Sequence, residues 1–172
     1  MKQRIRTILP LALAMAFVVG GAGVASAGGK ADLAAVRQAT LKYHDLSAAL
    51  GDGYVQFYVC TEQPGVGTMG QHFVNLGLAG DPAVDPLRPE VLVYAPKRNG
   101  EMKLVGVEYV TFDTSSQPSV LGQPMLFRAA GNRYGLPDFY ERHAWIWQGN
   151  PLGTFNDWNP DISCLGNGDN GG

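Results

Sequence analysis

The residues best suited to chemistry are two histidines and one glutamate, each in a strand-like segment. His72 lies in the stretch GTMGQHFVNLG, Glu108 in LVGVEYV and His143 in FYERHAWIWQ. Two neutral imidazoles and one carboxylate form a facial ligand set for divalent transition metals. We therefore expect His72, Glu108 and His143 to form a pocket that binds a divalent metal or a small polar ligand, with His44 as a candidate fourth ligand.

The spacing of these residues does not match a known metal motif. His72, Glu108 and His143 are 36 and 35 residues apart, with no HExxH or HxH pattern. Zn or Cu suits exported imidazole sites and Mn or Fe(II) suits the mixed set, so all four stay open. A metal-bound water could act in catalysis, but the ligand set implies no reaction. Binding needs neutral imidazoles, so metal affinity should fall as the pH drops through about 6.5.

Glu108 is the residue hardest to explain by packing alone. Asn99-Gly100 separates two strand-like runs and is the favoured centre of a two-residue hairpin turn. Counting outward from that turn puts Glu108 on an apolar face of the hairpin. The residues expected to share this face are Val91, Val93, Ala95, Met102, Leu104, Gly106, Val110 and Phe112. The pairs expected across the hairpin are Arg98 with Glu101, Ala95 with Leu104, Val93 with Gly106, and Val91 with Glu108.

Two structural explanations compete with a ligand site. An ionised carboxylate removed from water costs several kcal/mol unless a cation or several donors compensate it. Arg128, Arg133 or Arg142 could supply that cation as a buried ion pair. Each histidine could likewise be a hydrogen-bonded core residue.

The elements that must position these side chains belong to an α+β fold. Apolar residues at helical spacing predict one helix over 31–50, ending at Gly51 and Gly53. YVQFYVC predicts a strand that ends at Cys60, and TEQPGVGTMG after it predicts an irregular loop. FYERHAWIWQ predicts a strand, and 114–138 a long ordered loop. We expect an N-terminal helix packed on a curved antiparallel sheet or small β-barrel.

Alternation along FYERHAWIWQ puts five side chains on one face of the last predicted strand. They are Phe139, Glu141, His143, Trp145 and Trp147. Together with Trp158, the tryptophans suggest an alternative function, a noncatalytic binding module for an apolar or carbohydrate ligand. The sequence contains no GxSxG, P-loop or CxxC motif, and no GxGxxG directly after a predicted strand. The acidic stretch from Asp157 to Asp161 lacks the ligands of an EF-hand loop.

The ends of the chain predict export. Residues 1–27 combine three basic residues, an apolar run and Ala25-Ser26-Ala27, the pattern of a cleaved signal peptide. Its removal takes away three of the 13 basic residues and none of the 15 acidic ones, which leaves a formal charge of −5. That charge argues against a nucleic-acid partner. We expect a secreted protein without stable membrane association after cleavage, one domain over 28–165, and a flexible tail over 166–172.

The two cysteines predict a disulfide. An even number of cysteines in an exported chain favours a bridge over a metal pair or a reactive thiol. Cys60 and Cys164 are 104 residues apart, so the bridge would tie the first strand to the C-terminal segment.

Five blocks of the sequence together resemble a known family. The blocks are LKYHDLSAALGDGY, TMGQHFVN, PEVLVYAP, LVGVEYV and HAWIWQGNPLGTFNDWNPDISC. They resemble a family of small exported proteins of no established activity, found in actinobacteria and other bacteria, and the resemblance covers nearly all of the mature chain. It implies counterparts in the family for His44, Cys60, His72, Glu108, His143 and Cys164. This chain departs from the family in GLPDFYERHAW, where relatives often carry one more histidine.

Overall fold

A six-stranded antiparallel sheet forms the centre of the α+β fold. The computed structural model describes residues 28–165, so the predicted signal peptide (1–27) and the predicted tail (166–172) lie outside the described residues. The strands are β1 (Tyr54–Gln63), β2 (Gly67–Asn75), β3 (Val91–Pro96), β4 (Met102–Thr111), β7 (Leu126–Arg128) and β8 (Phe139–Ala144). They lie in the order β1-β2-β3-β4-β8-β7 and curl into a half-barrel. The short strands β5 (Ser119–Val120) and β6 (Gln123–Pro124) pair separately.

The predicted single helix over 31–50 is wrong in its continuity. The structure has α1 (Gly28–Thr40), a 3₁₀ turn (Leu41–His44) and α2 (Leu46–Gly51). Asp45 interrupts the helix with an extended backbone, φ −87° and ψ 109°, and its carboxylate accepts a hydrogen bond from Ser47 N at 2.9 Å. An Asp at this position caps a new helix better than it continues an old one.

The helices pack on one face of the sheet and form the main core there. This core includes Val36, Tyr43, Ala49, Phe73, Leu92, Tyr94, Leu104, Val107 and Tyr109. The Tyr94 hydroxyl donates to the backbone oxygen of Tyr43 at 2.7 Å and so joins the helical segment to β3. The predicted packing of the N-terminal helix on a curved antiparallel sheet is confirmed.

The opposite face of the sheet is also buried. Alternation places every second side chain of β2, β3 and β4 on that side. Val93, Ala95, Val105, Trp145 and Ile162 form one cluster on it. Val91, Val110 and Phe139 form another. This second face carries the candidate functional residues.

The β3–β4 hairpin confirms part of the predicted register. Val91 pairs with Glu108 and Val93 with Gly106, as predicted. Ala95 pairs with Lys103 and not with Leu104, because Val105 is an extra residue in a β-bulge.

The bulge in β4 compensates a turn that is one residue longer than predicted. The Lys97 N–H donates to the oxygen of Glu101 at 2.8 Å, a partner that the prediction assigned to Arg98. Gly100, at φ +84°, takes the left-handed position of this turn. The bulge restores the predicted register towards Glu108 but moves Leu104 to the helical face.

The predicted irregular loop over 61–70 is also wrong. β1 continues to Gln63, and β2 begins at Gly67 after a short turn. Gly70 permits this pairing, since a Cβ there would lie 2.8 Å from Val93 Cγ1, at a φ of +88°. The loop glycines thus serve close strand packing and do not exclude regular structure.

The C-terminal part differs from prediction at two places. β8 ends at Ala144, so Trp145 and Trp147 follow the strand. The Trp145 N–H bonds to Thr154 O and the Trp147 N–H to Val105 O, at 2.9 and 3.0 Å. The predicted loop over 114–138 contains β5, β6 and β7.

The predicted disulfide is confirmed. Cys60 and Cys164 are bonded, with their Cα atoms 5.7 Å apart and a sequence separation of 104. A disulfide is typical of an oxidising compartment. Within residues 28–165, no helix has the length and apolar character needed to cross a bilayer.

We predict that the double variant Cys60→Ser/Cys164→Ser melts roughly 10 °C below the wild type. Closing a loop of this length stabilises a fold by about 4 to 5 kcal/mol in the chain-entropy model. Calorimetry in the absence of reductant measures the difference. Dithiothreitol should lower the wild-type melting temperature to that of the variant and leave the variant unchanged. Equal melting temperatures without reductant would contradict the prediction.

Candidate metal centre

His72 is held rigidly in the middle of β2. It pairs with Phe57 of β1 on one side and with Val93 of β3 on the other. Only 5 % of the residue is exposed. The preceding Gln71 donates from its side-chain amide to the oxygens of Phe57 and Tyr58, which secures the adjacent bulge in β1.

Glu108 and His143 are direct neighbours across β4 and β8. They are 5 % and 1 % exposed, so the predicted burial of Glu108 is confirmed. Gly106 lies two residues before Glu108 and has no side chain to cover the site. A Cβ on Gly106 would lie 2.8 Å from the oxygen of Ala144, so glycine also permits the close approach of β4 and β8.

The curl of the sheet brings His72 to the other two residues. His72 and His143 are three strands apart, which is about 14 Å in a flat sheet. Their Nε2 atoms are nevertheless 3.2 Å apart. Glu108 spans both rings, with Oε2 at 3.4 Å from His72 Nε2 and Oε1 at 3.4 Å from His143 Nδ1. The predicted trio therefore converges on one buried point.

These separations are suitable for ligands of a single ion. One ligand atom from each of His72, Glu108 and His143 fits within 4.8 Å of the others. Ligand atoms bonded to one metal at about 2.0–2.2 Å lie about 3–3.5 Å from each other. The described residues include a second such group, formed by Glu141, His143 and Asp157.

Both imidazoles of the trio are held neutral. Burial and, to a smaller extent, the neighbouring His143 lower the pKa of His72 to about 3. Burial also lowers the pKa of His143. Neutral rings keep a nitrogen lone pair that a metal can use. The expected control of metal affinity by imidazole protonation near pH 6.5 stays a prediction, although burial moves the pKa of both rings below the ordinary value.

Glu108 is the group that holds a proton. Burial raises the pKa of its carboxyl well above the ordinary value, and the neighbouring carboxylates of Glu141 and Asp157 raise it further. Burial by itself would raise the pKa of Glu141. Interactions with Glu108, His143 and Arg128 outweigh burial and hold this pKa below the ordinary value. The two glutamates thus differ in charge, with the proton on Glu108.

The predicted arginine partners do not pair with Glu108. Arg128 donates to Glu141 Oε1 at 2.5 Å and also bonds to Asp157. Arg142 donates from Nε to the oxygen of Pro124 at 2.9 Å. Arg133 lies over the ring of Trp158. Glu108 has no lysine or arginine within salt-bridge distance in residues 28–165.

The second group is already supplied with a cation. The Arg128 guanidinium joins Glu141 and Asp157, which leaves less need for a metal there. Asp157 Oδ1 and His143 Nδ1 are nevertheless buried and lack hydrogen-bond partners in the described chain. They lie 3.9 Å apart, so a small movement would let the ring N–H donate to the carboxylate. Asp157 is thereby suited to orient His143.

His44 does not join the trio. It is exposed and packs edge-on against Trp147 with ring centroids 4.3 Å apart. It ends the 3₁₀ turn on the helical face of the sheet, opposite the face that carries Glu108. Burial by its neighbours and the positive charge of Lys103 lower its pKa.

Sequence patterns could have indicated Glu141 but not Asp157. Glu141 precedes His143 by two residues on the same face of β8, so alternation already groups them. Asp157 lies in an irregular segment that reaches the site because Asn159 forms an isolated bridge with Thr68 of β2. Gly67 leaves room for that segment, since a Cβ there would lie 2.7 Å from the Asn159 backbone.

The tryptophans are bound separately to different parts of the fold. Trp145 is buried and donates to the oxygen of Asn156 at 2.5 Å. Trp147 donates to Thr40 Oγ1 at 3.2 Å, on the helical side. Trp158 packs beneath Arg133. They present no shared stacking surface for a sugar.

An apolar pocket opens above the trio. Its cavity volume is about 80 Å³, and His72, Glu108 and Glu141 lie among its lining residues. His143 lies behind them, outside the lining. The buried group is therefore reachable from one side.

The chain matches no protein-family model, no curated protein and no solved structure. Buried histidine, glutamate and aspartate side chains nevertheless lie close enough together to hold a metal ion. The chemical interpretation therefore comes from the geometry of this group.

We predict that Glu108→Gln raises the free energy of unfolding of the metal-free protein, relative to the wild type, by an amount that grows as the pH rises. A folded-state pKa above the unfolded value means that the folded wild type keeps a proton that the unfolded chain loses above pH 4.5. Wild-type stability from this group is full below that pH and is lost as pH rises through the raised pKa. Glutamine has no proton to lose. Urea unfolding with EDTA at pH 5 and pH 8 measures the change.

The difference between the two proteins isolates Glu108. Burial also raises the pKa of Glu90, to about 7, but Glu90 is present in both proteins and cancels. Glu101→Gln is a matched control, because Glu101 is exposed on the hairpin and its pKa is lowered by Asn99 and Lys97. A pH-independent effect of Glu108→Gln would show that Glu108 does not hold a buried proton.

Proposed function

We propose that the protein binds one divalent transition metal through His72, Glu108 and His143. The observation that supports this proposal is the convergence of three buried groups. His72 Nε2 lies 3.2 Å from His143 Nε2 and 3.4 Å from Glu108 Oε2, and one ligand atom from each residue fits within 4.8 Å of the others. The ligand atoms are the Nε2 atoms of both histidines and a carboxylate oxygen of Glu108. The metal replaces the proton that Glu108 holds in the metal-free protein.

A metal accounts for the buried carboxylate better than packing does. An ionised carboxylate in this position needs a cation, and the nearby arginine is bonded to Glu141 and Asp157. A metal bound at His143 Nε2 requires the proton of that ring to be on Nδ1. That nitrogen faces Glu108 Oε1 at 3.4 Å and Asp157 Oδ1 at 3.9 Å. Metal-bound histidines commonly donate their second ring N–H to such a carboxylate.

The ligand set and its surroundings restrict the metal. Imidazole ligands suit Zn and Cu, and two histidines with one carboxylate suit Mn and Fe(II) as well. Three protein ligands leave coordination positions free for water or a small ligand. Those positions face the apolar pocket, because His72 and Glu108 line it and His143 does not. A metal-bound water there would be an available nucleophile.

We infer further that the protein acts outside the cytoplasm as an exported member of the resembled family. The signal-like N-terminus supports export. The bond between Cys60 and Cys164 supports an oxidising environment. The negative charge of the mature chain supports a small ligand or metal ion, and not nucleic acid, as the partner.

We predict binding of one Zn²⁺ or Mn²⁺ per chain, with loss of binding when a ligand is removed. Changes in groups that only support a ligand typically cost about 10–100-fold in metal affinity, so His72→Ala and His143→Ala should each cost at least about 100-fold. Isothermal titration calorimetry of the EDTA-treated, dialysed protein at pH 7.5 measures the affinity. His44→Ala, which removes the histidine on the helical face, is the matched control and should bind like the wild type.

Proton release gives a second measure of the same binding. Titration in two buffers with different ionisation enthalpies should show that the metal displaces a proton from Glu108. Glu108→Gln should abolish that release as well as weaken binding. Wild-type protein that binds no first-row metal, or unchanged binding in both histidine variants, would overturn the proposal.

A further inference from the structure

The pocket above the trio has walls from many parts of the fold. The walls include Phe57 from β1, Val74 from β2, Val110 from β4 and Phe139 from β8. They also include Phe112, directly after β4, and Leu136 from the loop before β8. The cavity volume of about 80 Å³ is several times the roughly 10–15 Å³ that one water molecule needs, so the pocket has room for part of a small molecule that extends into its open mouth. Phe112 and Leu76 are 37 % and 67 % exposed, as expected for apolar side chains at an open mouth.

The polar groups of the pocket are concentrated at one end. His72, Glu108 and Glu141 lie there. Tyr134 also lines the pocket, but its hydroxyl contacts Met69 Sδ at 3.6 Å. The remaining lining side chains in the described chain are apolar. A sugar would lose hydrogen bonds to water on these walls without replacement, so they disfavour a carbohydrate.

The charge at the polar end selects the head group of a ligand. Arg128 already bonds to the Glu141 carboxylate, so a cationic ligand would compete with it. A metal held by two neutral imidazoles and one carboxylate retains one positive charge. Its free positions face the pocket, and an anionic oxygen satisfies both the charge and the coordination.

We propose that this pocket binds a small, mostly apolar molecule whose single anionic oxygen group, such as a carboxylate or phenolate, completes the coordination of the metal. This inference rests on the proposed metal site. The apolar body lies against Phe112, Leu136 and Phe139, and the head reaches the metal between His72 and Glu108. This ligand class differs from the carbohydrate that a tryptophan platform would bind.

The test uses 4-ethylbenzoate, with acetate as a probe that has the same head without the body. Calorimetry on the Zn²⁺-loaded protein should show 4-ethylbenzoate binding at least tenfold tighter than acetate. 4-Ethylbenzoate should also bind the Zn²⁺-loaded protein at least tenfold tighter than the metal-free protein. Equal affinity for the two probes would overturn the proposal, as would equal affinity with and without metal.

Three variants locate the binding in the pocket. Leu136→Trp fills the pocket from its loop, and Phe112→Ala removes an exposed wall residue with little risk to folding. Each should weaken 4-ethylbenzoate binding at least fivefold and leave Zn²⁺ affinity unchanged. Phe127→Ala is the matched control, because Phe127 is 48 % exposed on β7 and does not line the pocket. Similar probe affinity in all four proteins would overturn the proposal.

A neutral probe distinguishes failure of the pocket from failure of the metal site. 4-Ethylphenol should bind the metal-free protein, and Leu136→Trp should weaken that binding at least fivefold. In one outcome, Zn²⁺ does not bind, whereas 4-ethylphenol binds and Leu136→Trp weakens that binding. In that case the proposed metal site and the proposed coordination of an anionic group are both overturned, and the apolar pocket stands. If Zn²⁺ binds but neither aromatic probe responds to the pocket variants, the pocket inference fails and the metal site stands.

Discussion

The burial of Glu108 between two imidazoles is the interaction on which the rest of the site depends. A carboxyl group that is 5 % exposed must carry a proton or meet a cation. His72 and His143 are too deeply buried to become that cation, since burial lowers the pKa of both rings. The trio therefore can hold either a proton on Glu108 or a metal ion. In the proposed metal site a metal would compete with that proton for one position, which would couple metal binding to pH.

The surrounding charges keep this competition confined to Glu108. Arg128 bonds to Glu141 and Asp157, the two carboxylates nearest to the trio, and leaves Glu108 without a cationic side chain. The same arrangement leaves His143 Nδ1 and Asp157 Oδ1 unpartnered and 3.9 Å apart. Binding of a metal at the other nitrogen of this ring would favour a hydrogen bond between them. Arg128 and Asp157 thus support the site without entering it.

The backbone around the bulge in β4 also supports this arrangement. The bulge at Val105 restores the register so that Glu108 faces His143. The Val105 oxygen accepts hydrogen bonds from the N–H groups of Trp147 and Gln148 at 3.0 and 3.1 Å, which holds the segment after β8 against the bulge. The helices cover the other face, where Tyr94 contacts Tyr43. One face of the sheet thus provides the stabilising core, and the opposite face can tolerate buried polar groups.

The sequence by itself determined the features that follow from local periodicity and from counting. Counting outward from the Asn99-Gly100 turn predicted an inward Glu108, with a register that the bulge at Val105 restores. Alternation grouped Glu141 with His143, and two cysteines in a chain with an export-like N-terminus predicted their bond. Tertiary structure decided the rest: the break at Asp45, the bulge at Val105, the strands hidden in the glycine-rich segment, and the arrival of Asp157. It also brought His72 to His143 across three strands and left His44 on the other face. The physical reason is that alternation is a property of each strand. The curl of the sheet and the close approach of distant strands instead depend on many weak contacts between residues that are far apart in sequence.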